Sequence, residues 1–234
     1  MKKPVVDYRK LRLSNATDPE FRHIFLLLGW VVYFALYLLT ENLIPAESCN
    51  VVHCALDDLI PFCEYFVIPY VLWYVLVAGS LLYFILYNVD SFKKLQTYII
   101  ITQVIAMAIY IIWPSRQDMR PEVFDRDNIF TRLVGCLYAA DTSTNVCPSL
   151  HVGYSLGIAS VWLKEKGISK WFKAFMVVFV ASICLSTMFI KQHSAVDFFA
   201  ALPMCLLAEI LVFGKSWWKP RLTRNAKSPP DVSD

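Results

Sequence analysis

Apolar residues in this chain gather into long runs separated by short polar stretches, in place of the two-residue alternation of a half-buried strand. A helix crossing a ~30 Å hydrocarbon core needs about 20 mostly apolar residues. Six runs approach that length, at residues 24–42, 65–88, 96–113, 149–164, 171–190 and 195–213. The pattern predicts an all-α fold, a six-transmembrane helix bundle over 24–213, with a basic N-terminal segment at 1–23 and a basic tail at 214–234. Two runs are less apolar than the others. Val152–Leu163 carries Gly153, Gly157 and several serines, small residues that let neighbouring helices approach closely. Ala195–Phe213 includes Asp197, Pro203 and Glu209, which suits a helix facing the bundle and not the lipid.

Between the third and fourth runs, Ile129, Phe130, Leu133, Val134, Leu137 and Tyr138 recur at helical spacing, with Asp127, Arg132 and Asp141 off the stripe. This predicts a short amphipathic helix lying in the interface. Two roles suit it equally: shaping the entrance for an acyl or prenyl chain, or plain scaffold.

Composition agrees with the bilayer as solvent, since 57% of residues are hydrophobic and only 18% charged. The first run follows charged residues and has no small-residue cleavage site after it, so it is expected to stay in the mature protein. Of the 22 lysines and arginines, 17 fall on the side of the two termini and five on the other. By the positive-inside rule both termini are cytoplasmic, in an integral membrane protein expected in the plasma membrane. The formal charge of +3 then reflects topology and contact with anionic headgroups, with no nucleic-acid partner. Cys49, Cys54, Cys63, Cys136 and Cys147 fall on or near the non-cytoplasmic side, and their spacing leaves both disulfides and free thiols open. Cys49, His53 and Cys54 lack the spacing and the second half of a zinc site, so neither a metal nor a cofactor is expected.

Three polar segments fall on that same side. Trp113–Pro121 carries Arg116 and Arg120, which either snorkel to headgroups or bind phosphate through bidentate hydrogen bonds. Cys147–His151 opens the fourth run; Pro148 suits the first helical position, and the free N–H groups after it would form an anion site. There Ser149 adds a hydroxyl and His151 a proton for a leaving oxygen, although a lone histidine at a helix start is more often a satisfied interfacial residue. Lys191–Asp197 places His193 and Asp197 four apart, on one face of the sixth helix. A carboxylate that binds one ring nitrogen leaves the other bare as a nucleophile. A structural pair, a proton relay or an ion path through Asp197 and Glu209 are the alternatives. Three separate loops delivering Arg, Ser/His and His/Asp to one membrane face favour a single site.

At these residues the chain resembles the type 2 phosphatidic acid phosphatase superfamily, which shares its active-site pattern with vanadium haloperoxidases. The family pattern K-x6-R-P, P-S-G-H and S-R-x5-H-x3-D is met by Arg120–Pro121, by P-S-L-H at Pro148–His151, and by Ser186, His193 and Asp197. The wording is closest to the inositolphosphorylceramide-synthase-like and bacterial branch. The expected lysine of the first block falls at Trp113 and the expected arginine of the third at Thr187. Arg116 and Lys191, each about one helical turn away, are the cations expected to replace them. The resemblance implies a metal-independent lipid phosphate phosphatase. In it His193 attacks phosphorus, Asp197 supports the imidazole, His151 protonates the leaving oxygen, and Arg120, Ser149, Lys191 and Arg116 hold the phosphate. It equally admits a headgroup phosphotransferase of the same fold. A non-catalytic lipid binder or transporter is the reading of another class.

Overall fold

The computed structural model describes residues 4–217; most of the predicted tail, 218–234, and the first three residues lie outside the described residues. Short 3-10 turns lead into α1 (Leu28–Leu43), followed by the one-and-a-half-turn α2 (Ala55–Leu59), then α3 (Val67–Tyr87) and α4 (Val89–Ile112). After a polar connection come α5 (Ile129–Ala140), α6 (Leu150–Lys164), α7 (Lys170–Phe189) and α8 (Ala195–Trp217). Two-residue strands β1 (Asn50–Val51) and β2 (Ser115–Arg116) pair in parallel and tie the first long loop to the second.

Five helical segments are long and apolar enough to cross a membrane: Arg22–Leu43, Glu64–Tyr87, Val89–Ile112, Lys170–Phe189 and Ala195–Gly214. The fourth predicted run forms α6, whose 15 residues reach ~22 Å, less than a full hydrocarbon core. Its length has a local cause at each end. Ser149 is extended and caps the helix, so Pro148 lies ahead of it and not at its first position. At the other end Gly167 turns the chain with φ +76°. Ten of the 15 residues of α6 are buried, because it packs against α3, α4, α7 and α8 in the middle of the bundle.

The two small residues singled out in this stretch account for that packing. Gly157 lies against the Tyr98 ring of α4, where an added Cβ would overlap the ring, and Gly153 lies where a Cβ would be 3.2 Å from Met204 Cε of α8. Gly157→Val is therefore expected to lower stability by about 1–3 kcal/mol. Gly79→Val, at a glycine with open space around its Cβ position, is expected to change it little. Thermal unfolding of both in the same detergent checks this.

Polar side chains join the helices at defined places. Gln96 of α4 accepts from Trp30 Nε1 of α1 at 3.1 Å and donates to the Leu26 carbonyl at 3.2 Å. Trp162 Nε1 donates to Ser80 Oγ at 3.0 Å, joining α6 to α3. Glu209 of α8 accepts from Ser160 Oγ at 2.6 Å and meets Lys164, so it faces the bundle as its position in an apolar run suggests. The N-terminal segment closes the same end: Val5 N–H donates to the Leu86 carbonyl at 2.8 Å. Tyr8 Oη donates to the Ile85 carbonyl at 2.9 Å and touches the buried His23 ring. The loops 44–66, 113–149 and 190–194 are joined by hydrogen bonds at the opposite end. There the amphipathic stripe of α5 packs Val134, Phe130, Leu137 and Tyr138 against Val67, Tyr70 and Ile190, while Ile129 and Leu133 are exposed. All seven cysteines are free thiols.

Candidate functional site

His151 stands in the first turn of α6 and His193 in the corner between α7 and α8. The corner is tight: Gln192 and His193 both donate their N–H groups to the Thr187 carbonyl, at 2.9 and 3.0 Å. It brings His193 Nε2 to 3.2 Å from His151 Nδ1, and His193 Nδ1 to 3.1 Å from Asp197 Oδ2. The expectation that His193 lies on the sixth helix is corrected, because α8 starts two residues later, at Ala195. Ser194, just ahead of the helix, accepts from Val196 N–H at 3.1 Å, and its own N–H donates to Asp197 Oδ2 at 3.0 Å. This reciprocal cap ends the helix before His193 and anchors Asp197.

An ionised carboxylate only accepts, so the Asp197 contact assigns the proton of His193 to Nδ1 and leaves Nε2 bare. His151 Nδ1 then donates across the 3.2 Å gap. Asp197 is fully buried and His193 nearly so. The His151 ring is gripped by Trp73 and Tyr70, with ring centres at 4.2 and 4.8 Å, and its Nε2 is buried without a partner.

The other sequence-level candidates divide. Arg120 reaches the site's edge: it donates to Gln192 Oε1, beside His193, and to the Asp141 and Thr142 carbonyls at 2.9 and 2.7 Å. Its plane covers the Tyr138 ring at 4.7 Å. Ser149 is fully buried; its N–H donates to the Asp197 carbonyl at 3.1 Å and its hydroxyl accepts weakly from Val152 N–H at 3.4 Å. Ser149 thus ties the start of α6 to the start of α8. Lys191 turns away in a left-handed conformation, φ +52°, and donates to the Asp57 and Ile60 carbonyls at 2.9 and 2.5 Å. Burial holds this amine below its usual range, opposed by Asp57 and Asp58. Arg116 lies in β2 and donates to the Ala46 carbonyl at 2.7 Å and to Asp118 at 3.2 Å. The structure brings neither Lys191 nor Arg116 to the histidines.

A cavity of about 590 Å³ opens beside the histidine pair. One wall is the aromatic face of α1, with Trp30, Tyr33, Phe34 and Tyr37; the facing wall is α3, from Tyr70 through Trp73, Tyr74 and Ala78 to Leu81. Tyr70 to Leu81 spans ~16 Å of helix, about half a hydrocarbon core. Gln192, His193, Asp141 and His151 form the polar end. Burial raises the Asp141 carboxyl above its usual range, against the pull of His193 and Arg120.

No family model, curated protein or solved structure matches the chain.

The site thus rests on its own geometry. Sequence reading missed Gln192, which links Arg120 to the corner, and gave Asp141 no part in the site, although Asp141 stood off the α5 stripe as a polar residue at its end. It also missed the aromatic wall of α1, whose one visible signal is the spacing of Trp30, Tyr33, Phe34 and Tyr37 on one helix face. Among the described residues, no group of three or more His, Cys, Asp and Glu side chains is gathered as a metal site.

Proposed function

We propose that this chain is an integral membrane lipid phosphate phosphatase working through a phosphohistidine, as its resemblance to the type 2 phosphatidic acid phosphatases implies. The observation that carries the reading is the relay Asp197–His193–His151 at the polar mouth of an aromatic cavity. His193 Nε2 attacks phosphorus while the bond from phosphorus to the lipid oxygen breaks, and His151, which enters the step as the imidazolium, gives that oxygen its proton and becomes neutral. Asp197 stabilises the positive charge that His193 gains. His151 then takes a proton from water, the water oxygen bonds to phosphorus, and the P–N bond breaks to release phosphate and restore His193. Arg120, held beside His193 through Gln192, supplies a guanidinium for the charge on the equatorial oxygens, together with the positive end of α6. The cavity accepts the hydrocarbon part of the lipid, with α5 at its polar end. In this reading α6 is the fourth of six spans, both termini are cytoplasmic, and the histidines open toward the non-cytoplasmic face.

One feature favours a second reading, headgroup transfer between lipids by the same residues. The residues lining the cavity include the Asp141 carboxylate and no lysine or arginine. A phosphomonoester carries about 1.5–2 negative charges, whereas a diester carries one and asks for less cationic compensation.

The test is incubation of the purified protein, without added metal, with radiolabelled phosphatidate, a prenyl pyrophosphate and an inositol phospholipid plus an acceptor lipid alcohol. Free phosphate together with an acid-labile label on the protein supports the phosphatase. Label that moves only to the acceptor supports transfer. Neither, in a folded sample, leaves a lipid-binding or transport role.

Ala78 forms part of the α3 wall, so Ala78→Trp fills the chain-binding space. It is expected to raise KM for long-chain lipid phosphates about tenfold and leave hydrolysis of a short, water-soluble phosphate ester near wild type. Paired kinetics on the two substrates check this.

A further inference from the structure

The loop between α1 and α3 belongs to none of the chemistry assigned so far, yet one of its carboxylates is built into the catalytic corner. Asp57, on α2, is 4% exposed. Its Oδ1 accepts from Ala195 N–H at 2.7 Å, and its Oδ2 accepts from Ser194 Oγ at 2.6 Å and Cys54 N–H at 2.9 Å. Two of these three donors belong to the start of α8, where free N–H groups and the helix dipole favour a negative charge. Burial alone would raise the Asp57 carboxyl, but the Ser194, Ala195 and Cys54 donors outweigh it and hold it below the usual carboxylate range.

The same corner grips the loop in return. Lys191 Nζ donates to the carbonyls of Asp57 and Ile60, and Cys63 N–H donates to the Phe189 carbonyl at 2.9 Å. Loop 54–63 is therefore fastened to both sides of His193. The continuation runs through short bonds: Asp57 holds Ser194 and Ala195, Ser194 N–H donates to Asp197 Oδ2 at 3.0 Å, and that oxygen faces His193 Nδ1.

We infer that Asp57 is a positioning residue for phosphoryl transfer, setting the Asp197–His193 pair from outside through Ser194 and Ala195, with Lys191 as the return tie. A helix cap that only stabilised the fold would need neither the second oxygen on Ser194 nor the tie from Lys191. The inference rests on the phosphatase or transferase reading for its kinetic consequence but not for its effect on the histidine.

The experiment pairs Asp57→Asn with Lys191→Met, which slackens the same clasp without removing an acceptor from Ser194 or Ala195. Histidine ring NMR of the detergent-solubilised protein follows the Nδ1–H signal of His193, identified by its loss in His193→Ala. Kinetics on the lipid phosphate follow kcat and KM. Asp57→Asn is expected to move the Nδ1–H signal of His193 upfield, since the ring loses a well-aligned Asp197 acceptor, and to reduce kcat about 10–100-fold with KM within about twofold. Lys191→Met is expected to move both the same way by a smaller factor, and it decides the matter if Asp57→Asn does not fold. A folded variant whose melting temperature falls while the His193 Nδ1–H signal and kcat stay at wild-type values overturns the inference. Absence of turnover in the wild type would count against the proposed reaction, and the NMR arm would still decide for or against Asp57.

Discussion

Replacing His193 by alanine is expected to cut phosphate release from the lipid substrate by about 10⁴-fold or more and to abolish the acid-labile label on the protein. His193 carries its proton on Nδ1, committed to Asp197 at 3.1 Å, which leaves the Nε2 lone pair, 3.2 Å from His151 Nδ1, as the nucleophile. Its removal leaves the Asp197 carboxylate on Ser194 N–H at 3.0 Å, so the corner keeps its cap and the fold its integrity. A melting temperature near wild type is the companion measurement. Label that persists in His193→Ala would move the nucleophile to His151, whose Nε2 is buried without a partner. The labelling thus tests the direction of the relay as well as its existence.

His151→Ala is expected to reduce turnover of a lipid phosphate by about 10²–10⁴-fold, the range of a lost general acid. The loss should depend on the leaving group. An alkoxide needs a proton as the P–O bond breaks; a nitrophenolate does not. With p-nitrophenyl phosphate the first step in His151→Ala is therefore expected to stay near wild type while the second slows, and labelled protein should accumulate. A quench experiment that measures nitrophenol burst and bound label together checks both steps. Equal losses on the two substrates, with no accumulation, would reassign His151 to ring packing against Trp73 and Tyr70, where its ring is held at 4.2 and 4.8 Å.

The parts of this molecule that depend on local pattern were readable in the chain. Long apolar runs marked the five helices long enough to cross a bilayer and placed α6 between them; the stripe from Ile129 to Tyr138 marked α5. Gly153 and Gly157 announced a close approach, and the approach is to α8 and α4. Helix starts were less readable: Pro148 reads as a first helical position and His193 as part of the sixth helix, whereas Ser149 and Ser194 cap helices that begin at Leu150 and Ala195. Side-chain direction was the least readable. Lys191 was placed one turn from Thr187 on the premise of a continuing helix, but α7 ends at Phe189 and the left-handed Lys191 sends its amine to the other loop. Arg116 was placed likewise by helical spacing, yet it lies in a strand and turns to Ala46. Asp57 carried no signal, since a carboxylate in a polar loop looks the same whether it is solvated or meets Ser194 137 residues later in the chain.

That distance in the chain also governs when the molecule first becomes able to act. The cap on Ala195 comes from Asp57, and His151 waits for a corner made after α7. During synthesis at about 5–20 residues per second, every earlier span can be in the bilayer, surrounded by lipid phosphates, while His151 still has no partner. On the proposed phosphatase reading, insertion of the last helix brings nucleophile, carboxylate and clasp into being together, so a nascent or truncated chain is expected to be inert toward the very membrane that is receiving it.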